Sequence, residues 1–229
     1  MLTFIAGDGR MIARVSRMTH GPQNGSGWHD PPWRECIPLM LAHHMGRRPA
    51  HFPRTEVKMG YNATAVHLMF RVEDQFVQAT ARQHQDSVCV DSCVEFFFTP
   101  GPDSSIGYFN IEMNCGGVML FHFHPGDETE AQVIPPADCE RLRKTHTLPR
   151  LVQPEIDEPV TWLVDYSLPL SLLARYCPVC EPRPQVVWRA NFYKCADGSS
   201  RPHWLAWAPV DFPKPNFHLP RFFGTVVFI

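Results

Sequence analysis

Long apolar runs are missing from this sequence of 229 residues. The longest have only the length of a β-strand, whereas a membrane-spanning helix needs about 20 apolar residues. An excess of charge is missing as well, because 21 Lys and Arg residues stand against 23 Asp and Glu residues. There is no basic run and no basic patch interleaved with aromatic residues, so the chain lacks a surface that tracks nucleic-acid phosphates. We therefore expect neither a membrane nor a nucleic acid as a partner.

A cysteine framework is also absent. The eight cysteines lack the regular spacing of a disulfide-rich domain, and a chain of this length needs no disulfide staples. We expect reduced, mostly buried thiols. Cys177 and Cys180 form a lone CxxC motif, which is weak evidence for zinc. The first ten residues have no charged leader, so no signal peptide is predicted, and the sequence leaves both a cytoplasmic location and secretion of a trimmed chain open.

What the sequence does contain is a series of short segments that alternate between apolar and polar residues. They are separated by 23 prolines and 14 glycines, and the best helical segment is short, at 168–176. This pattern predicts an all-β chain: a single antiparallel β-sandwich of the jelly-roll or immunoglobulin-like type with one or two short helices. All-β domains of roughly 200–250 residues commonly fold as one unit. We assign residues 28–229 to one domain and residues 1–27 to a leader or first strand.

Three predicted strands, at 91–99, 108–114 and 187–193, carry polar side chains on one face. Each alternates with period two, which places apolar residues on one side and polar residues on the other. If the three strands share a sheet, the polar residues of one face are Glu95, Asn110, Glu112, Arg189 and Asn191. Carboxylates, amides and a guanidinium can bridge the neighbouring hydroxyl groups of a sugar. The competing interpretation is an ion-pair ladder on a half-buried sheet.

Four segments together resemble the family 9 carbohydrate-binding modules. They are DSCVEFF at 91–97, YFNIEMNCGG at 108–117, WRANFYK at 188–194 and HLPRFFGTVVF at 218–228. The resemblance runs in order from about residue 28 to the end, and it is greatest to a family 9-like branch of the DOMON-type β-sandwich superfamily. It implies a sandwich that binds a mono- or oligosaccharide without catalysis, such as the end of a plant or microbial β-glycan. It also implies glycoside hydrolases as candidate partners.

The resemblance further implies a site in which two aromatic rings hold a terminal sugar. The positions that match its polar contacts are Glu95, Asn110, Glu112 and Asn191. Phe217 matches one ring, but the position of the other ring holds Val88, which offers no ring face. Trp207 or Phe76 would have to replace that ring, and we favour Trp207. His218 lies beside Phe217 in the sequence, so we expect it near the ligand as well.

Metal binding is a second function that the sequence leaves open. His122 and His124 share a strand face, and together with Glu128 they match the HxHxxxE spacing of cupin metal sites, in which two histidines and a carboxylate hold a divalent ion. The glycine after the carboxylate and the distant third histidine of a cupin are not evident in the sequence. These three residues are therefore weak metal candidates.

Haem binding and catalysis are open as well. Some sandwiches of the superfamily bind haem through a Met with a His or Lys for a redox or electron-transfer role, and Met69, Met113 and Met119 are candidates. A glycosidase would use Glu95 and Glu112 as its acid and its nucleophile or base. Structural calcium in a loop is also compatible with the resemblance, although no EF-hand spacing assigns its ligands. We expect no other cofactor.

Overall fold

The computed structural model describes residues 4–5, 9–126 and 129–229. These residues form strands and two short α-helices. In chain order the strands are β1 (Phe4–Ile5), β2 (Met11–Arg17), β3 (Leu39–Met40), β4 (His43–His44), β5 (Arg54–Tyr61), β6 (Ala65–Asp74), β7 (Val77–Ala79), β8 (Cys93–Thr99), β9 (Gly107–Asn114), β10 (Met119–Pro125), β11 (Gln132–Val133), β12 (Lys144–His146), β13 (Val152–Ile156), β14 (Val160–Pro169), β15 (Val187–Cys195), β16 (Trp204–Ala206) and β17 (Gly224–Phe228). The helices are α1 (Pro136–Arg141) and α2 (Leu170–Leu173). The prediction of an all-β chain with one or two short helices is confirmed.

Most strands belong to one continuous sheet, whose main path runs β11-β10-β9-β8-β15-β17-β2-β5-β6-β14-β12. Strand β16 pairs with β15 beside this path, and β7 pairs with β13 separately. Most neighbours are antiparallel, but β2 runs parallel to both β17 and β5. The prediction of a purely antiparallel fold is therefore wrong at β2. A parallel pair requires a long connection, and the segment 18–53 supplies one between β2 and β5.

The sheet folds back on itself so that both of its halves contribute to one core. Phe96 of β8 stacks on Phe192 of β15 with ring centroids 5.0 Å apart, and Phe192 meets the edge of Phe70 of β6 at 6.4 Å. All three rings are fully buried, and burial of a side chain of this size contributes about 1.5–3 kcal/mol. Because side chains alternate along a strand, the residues between these core positions point to the opposite face of the sheet.

One sequence segment differs from its predicted structure. The predicted helix at 168–176 is reduced to α2, because β14 continues to Pro169 and pairs with β6 along its whole length. Tertiary pairing thus overrides a local helical preference. The span 1–27, predicted as a leader or first strand, contains β2, which lies inside the sheet between β17 and β5. No helix in the described part of the chain is long and apolar enough to cross a bilayer.

Candidate functional site

The strands β8, β9 and β15 lie side by side, so their polar faces form one surface. Glu95 of β8 is directly opposite Glu112 of β9 and directly opposite Tyr193 of β15. Asn110 and Asn191 flank Phe97 of β8 in the same way. Period two then puts the polar side chains of all three strands on the face that points away from the core.

The segment 207–223, between β16 and β17, folds over this surface. Its Phe217 ring stacks on Tyr193 at 4.1 Å with an interplanar angle of 7°, and the Tyr193 hydroxyl donates a hydrogen bond to the Phe217 carbonyl at 3.3 Å. A cavity of about 230 Å³ remains between the segment and the sheet. Its lining residues are Cys89, Glu95, Phe97, Glu112, Cys195, Asp197, Trp204, Pro215, Asn216, Phe217 and His218. We call this space the acidic cavity.

Four of the eight predicted site residues line the acidic cavity: Glu95, Glu112, Phe217 and His218. The sheet supplies the two carboxyl groups, and the covering segment supplies the phenyl ring and the imidazole. These two pairs lie more than 100 positions apart in the sequence, and the sheet register together with the covering segment brings them together.

Asn110 lies next to the acidic cavity and holds Glu112 in place. Its Nδ2 donates to Glu112 Oε1 at 2.9 Å, and its Oδ1 accepts a hydrogen bond from His124 Nε2 at 2.9 Å. His124 stacks on Tyr108 at 4.7 Å, and the Tyr108 hydroxyl shares a hydrogen bond of 3.0 Å with His218 Nδ1. A chain of contacts thus connects Glu112 to His218, which are both cavity residues.

Asn191 and Trp207 are placed elsewhere. Asn191 is fully buried, and its amide both accepts from the Ala208 backbone N–H at 2.9 Å and donates to the Ala208 carbonyl at 3.1 Å. It therefore fastens the covering segment to the sheet. Trp207 lies in the core, with its ring edge-on to Phe192 at 5.6 Å. Its indole therefore lies on the side of the sheet opposite the acidic cavity.

Arg189 shares the sheet face but lies outside the acidic cavity. It is opposite Thr99 at the far end of β8. Its guanidinium donates to Thr225 Oγ1 at 2.6 Å and to the Pro102 carbonyl at 3.3 Å. The residue therefore ties β15 to β17 and to the loop after β8.

Val88, at the position expected for the second aromatic ring, lies away from the acidic cavity, and a tryptophan from another element lines it. Val88 is fully buried in a small apolar cluster with Phe97 and Phe217, and it does not line the acidic cavity. Trp204 of β16 lines it instead. Its Nε1 donates to Asp197 Oδ1 at 2.8 Å, so the hairpin between β15 and β16 positions both side chains.

The site residues predicted from the sequence do not include Trp204, Asp197 or the cavity cysteines. A usable signal existed for Trp204, because β15 and β16 form an antiparallel hairpin in which Trp204 is opposite Cys195. Cys195 lies on the same sheet face as Tyr193, Asn191 and Arg189. Residues directly opposite each other in an antiparallel hairpin share a face, so Trp204 lies on that face as well. Asp197 lies in the connecting turn and follows no strand periodicity, so no comparable signal pointed to it.

Three carboxyl groups give the cavity its electrostatic character. Burial, with the nearby Cys195 and Glu112, raises the pKa of Glu95 well above its usual value. Burial raises the pKa of Glu112 to about 7, although the Asn110 hydrogen bond opposes this. Partial desolvation also raises the pKa of Asp197, an exposed residue, against the opposing effects of Trp204 and Lys194. Within the described residues, none of the three forms an ion pair.

This charge state has a chemical consequence. A protonated carboxyl group can donate one hydrogen bond and still accept others, whereas an ionised one only accepts. The raised pKa of Glu95 favours its protonated form, and Glu112, with a pKa of about 7, is close to half ionised at neutral pH. The cavity therefore offers donors and acceptors together, which is what a ligand rich in hydroxyl groups can use.

The structure also places the candidates for a cupin-like metal site and for a haem site. His122 and His124 share a face with ring centroids 6.4 Å apart, but His124 Nε2 is bonded to Asn110. Glu128 lies outside the described residues, so their metal site stays a prediction. The haem candidates Met69, Met113 and Met119 are buried among apolar side chains.

An all-β fold with an acidic cavity and two aromatic rings combines apolar ring surface with hydrogen-bond donors and acceptors, which a polyhydroxylated ligand can use. The chain belongs to carbohydrate-binding family 9, whose profile matches residues 45–228. The family resemblance predicted from the sequence is thereby confirmed, whereas the DOMON-type superfamily stays a prediction. No curated protein matches the chain.

Solved structures show the same fold. A candidate carbohydrate-binding protein from Bacteroides uniformis ATCC 8492 superposes with a TM-score of 0.83 at 24% identity, over 95% of this chain and 99% of that one. A family 9 module from Caldicellulosiruptor kristjanssonii in complex with cellotriose gives a TM-score of 0.63 at 14% identity, over 95% and 93% of the two chains. A family 9 module from the same organism in complex with glucose gives 0.62 at 14% identity, over 94% and 95%.

Proposed function

We propose that the acidic cavity binds the terminal unit of a mono- or oligosaccharide without transforming it. Membership of carbohydrate-binding family 9 makes this protein a carbohydrate-binding protein. The observation that carries the proposal is the composition of the cavity, which joins the rings of Trp204 and Phe217 with the carboxyl groups of Glu95, Glu112 and Asp197.

The size of the cavity favours a single sugar unit. Drug-sized ligands occupy pockets of about 300–1,000 Å³, and the acidic cavity measures about 230 Å³. A terminal pyranose is of the right order, and further units of an oligosaccharide would extend outside. A cavity of this size favours recognition of the end of a glycan over recognition along its length.

The roles of the side chains follow from their chemistry. The Trp204 and Phe217 rings offer apolar surface to the C–H groups of a pyranose. Glu95, as a neutral acid, donates to a ring or hydroxyl oxygen, and Glu112 accepts from a hydroxyl group. His218 lines the same space and is oriented by Tyr108. Asn110 acts through Glu112 and is a positioning residue.

Glucose and cellotriose are the ligands to test first, because a module of the same family and fold is known in complex with each. Both carry a glucose end, so they share the unit that the cavity is proposed to hold. Plant or microbial β-glycan ends, and association with glycoside hydrolases, extend the same proposal to the natural ligand and partner.

Glu112→Gln tests the proposal by calorimetry with glucose and cellotriose at pH 8, where the native carboxyl is mostly ionised. The variant keeps the shape and replaces one acceptor oxygen by a donor. A hydrogen bond to a charged group is worth about 1.5–3 kcal/mol, and 1.4 kcal/mol corresponds to tenfold in Kd. We expect binding about 10- to 100-fold weaker.

Glu158→Gln is the matched control, because it makes the same chemical change at an exposed position, and it should bind like the native protein. Unchanged affinity of Glu112→Gln, in a variant that melts like the control, would contradict the assignment of the cavity. A folded native protein that binds neither sugar nor any member of a glycan array would contradict the function itself.

A further inference from the structure

Two thiols and a carboxyl group meet at the wall of the acidic cavity. Cys93 and Cys195 are directly opposite each other on β8 and β15, and Glu95 follows Cys93 by two positions on the same face. Each of the three offers one ligand atom, and these atoms lie within 4.8 Å of one another. The Cys195 Sγ to Glu95 Oε1 distance is 3.0 Å. All three residues are buried, with exposed fractions of 0–2%.

The cluster is not a satisfied ion-pair network. Lys194, the nearest lysine in the sequence, projects to the other face of β15, where its Nζ bonds to the Cys195 carbonyl and to His203 Nε2, each at 2.8 Å. Glu95 forms no ion pair with any described residue. Three acidic groups thus converge without a cation of the described chain among them, and Glu95 and Cys195 also face the cavity.

We propose that Cys93, Cys195 and Glu95 bind one thiophilic divalent metal ion, with zinc as the best match, and that the remaining coordination position opens into the acidic cavity. This inference goes beyond sugar binding and does not depend on it. Two thiolates and one carboxylate are a donor set that zinc accepts in tetrahedral geometry, and a site with three protein ligands keeps one position for water or a ligand.

The spacing of the ligand atoms suits such an ion. Zinc–sulfur bonds are about 2.3 Å long, so two sulfur ligands of one ion lie less than about 4.6 Å apart. Atoms already within 4.8 Å of one another reach that arrangement by small side-chain rotations. Thiolates are soft ligands that calcium and magnesium avoid, so this site is different from the loop calcium that the family resemblance allows.

The charges of the binding step balance. One M²⁺ ion displaces the two thiol protons and the carboxyl proton, and three protons leave for the solvent. The resulting centre, with two thiolates and one carboxylate on the ion, has a net charge of −1. The open position would be occupied by water, or by a sugar hydroxyl when the cavity is filled. Glu95 donates a hydrogen bond to the sugar only in the metal-free protein, because as a metal ligand it has no proton.

Cobalt(II) titration of the full chain tests the proposal, after reduction, chelation and desalting. Cobalt replaces zinc in tetrahedral thiolate sites and gives visible d–d bands and a sulfur-to-cobalt charge-transfer band. We expect one equivalent to bind, with both signals, and equimolar zinc to remove them. Cys93→Ser and Cys195→Ser should each weaken binding at least tenfold. Cys180→Ser, which changes an exposed thiol, should bind like the native protein.

Glu95→Gln is the second variant, since it preserves both thiols and the shape of the side chain. It should retain a charge-transfer band with weaker metal affinity, and circular dichroism shows whether each variant is folded. Absence of a thiolate–cobalt band in the reduced, folded native protein would overturn the proposal. So would a band of equal strength in Cys93→Ser and Cys195→Ser, or a Cys93–Cys195 disulfide whose reduction restores no metal binding.

Discussion

Strand β15 separates two groups of buried acids that differ in how their charge is balanced. The side chain of Lys194 projects to one face, towards Asp74 of β6. The next side chain, Cys195, projects to the other face, beside Glu95 in the acidic cavity. On one side of β15, a carboxylate has a cationic partner. On the other side, the carboxyl groups have no cationic partner among the described residues.

The Asp74 group is fully partnered. Its carboxylate accepts from His51 Nε2 at 2.7 Å and from Trp162 Nε1 at 3.2 Å, and it lies 3.5 Å from Lys194 Nζ. Burial alone would raise the pKa of Asp74, but Lys194, His51 and His203 hold it below its usual range. An ionised carboxylate is therefore stable there, and its role is structural.

The acidic cavity shows the opposite balance. Desolvation raises the pKa values of Glu95, Glu112 and Asp197, and none of the three has an ion-pair partner among the described residues. Glu95 and Glu112 are buried without such a cation, which costs stability, whereas Asp197 is exposed. Acids with perturbed pKa values cluster at functional sites. The comparison indicates that buried charge maintains the fold at Asp74, whereas the acids of the cavity are retained for a ligand.

Lys194→Met should have the largest effect on stability. It leaves the Asp74 carboxylate buried without its lysine, and loss of one partner of a buried ion pair costs about 3–5 kcal/mol. Urea unfolding, followed by circular dichroism, measures the loss as a lower midpoint at an unchanged slope.

Lys144→Met is the control for this prediction. The Lys144 side chain, 14% exposed, pairs with Glu140, whose side chain is 67% exposed, and such a pair contributes at most about 1 kcal/mol. Its Nζ also donates to the Cys139 carbonyl at 2.8 Å, a hydrogen bond worth about 1 kcal/mol, so the total stays below the loss expected for Lys194→Met. Equal losses for Lys194→Met and Lys144→Met would show that Asp74 does not depend on its buried lysine.

Glu112→Gln should remove part of the dependence of stability on pH, in protein kept free of metal with a chelator. Because the folded pKa of Glu112 is raised from 4.5 to about 7, the folded protein holds a proton that the unfolded chain has released. The contribution of this group is complete below pH 4.5 and is lost as pH rises through about 7. One pKa unit corresponds to about 1.4 kcal/mol, so the loss is on the order of 3 kcal/mol.

The measurement is the free energy of unfolding from pH 4 to pH 8. Native protein should lose stability across this range by more than Glu112→Gln does, and at pH 8 the variant should be at least as stable as the native protein. Glu158→Gln, an exposed change of the same kind, should follow the native curve. Parallel curves for native protein and Glu112→Gln would mean that Glu112 is ionised in the fold like an ordinary surface acid.

The sequence predicted the β class and the shared polar face because both depend on period two. Alternation within β8, β9 and β15 is enough to assign Glu95 and Glu112 to one side, and the family resemblance added Phe217. Alternation within a strand gives no information about how strands far apart in the sequence pair. The parallel placement of β2 was therefore missed. The same limit applies to the helix at 168–176, where pairing with β6 decides the structure.

The closure of the site could not be predicted from periodicity. Which part of a polar face is open depends on where the segment 207–223 crosses it. Asn191 looked like a ligand residue by phase, yet the segment covers it and uses both of its polar atoms. Trp207 looked like the missing ring. Its position is out of phase with the residues that face the cavity, so its indole lies in the core.

Arg189→Met should have the smallest effect. It tests whether ligand binding is confined to the acidic cavity or extends along the polar face. Arg189 shares the face with Glu95 but bonds to Thr225 and Pro102 instead of lining the cavity. Loss of such hydrogen bonds costs about 1 kcal/mol each, so the urea midpoint should fall slightly. Calorimetry with glucose or cellotriose should give a Kd within about twofold of the native value. A tenfold weaker Kd in this variant would extend the ligand site along the whole face and would remove the distinction between cavity acids and structural charges there.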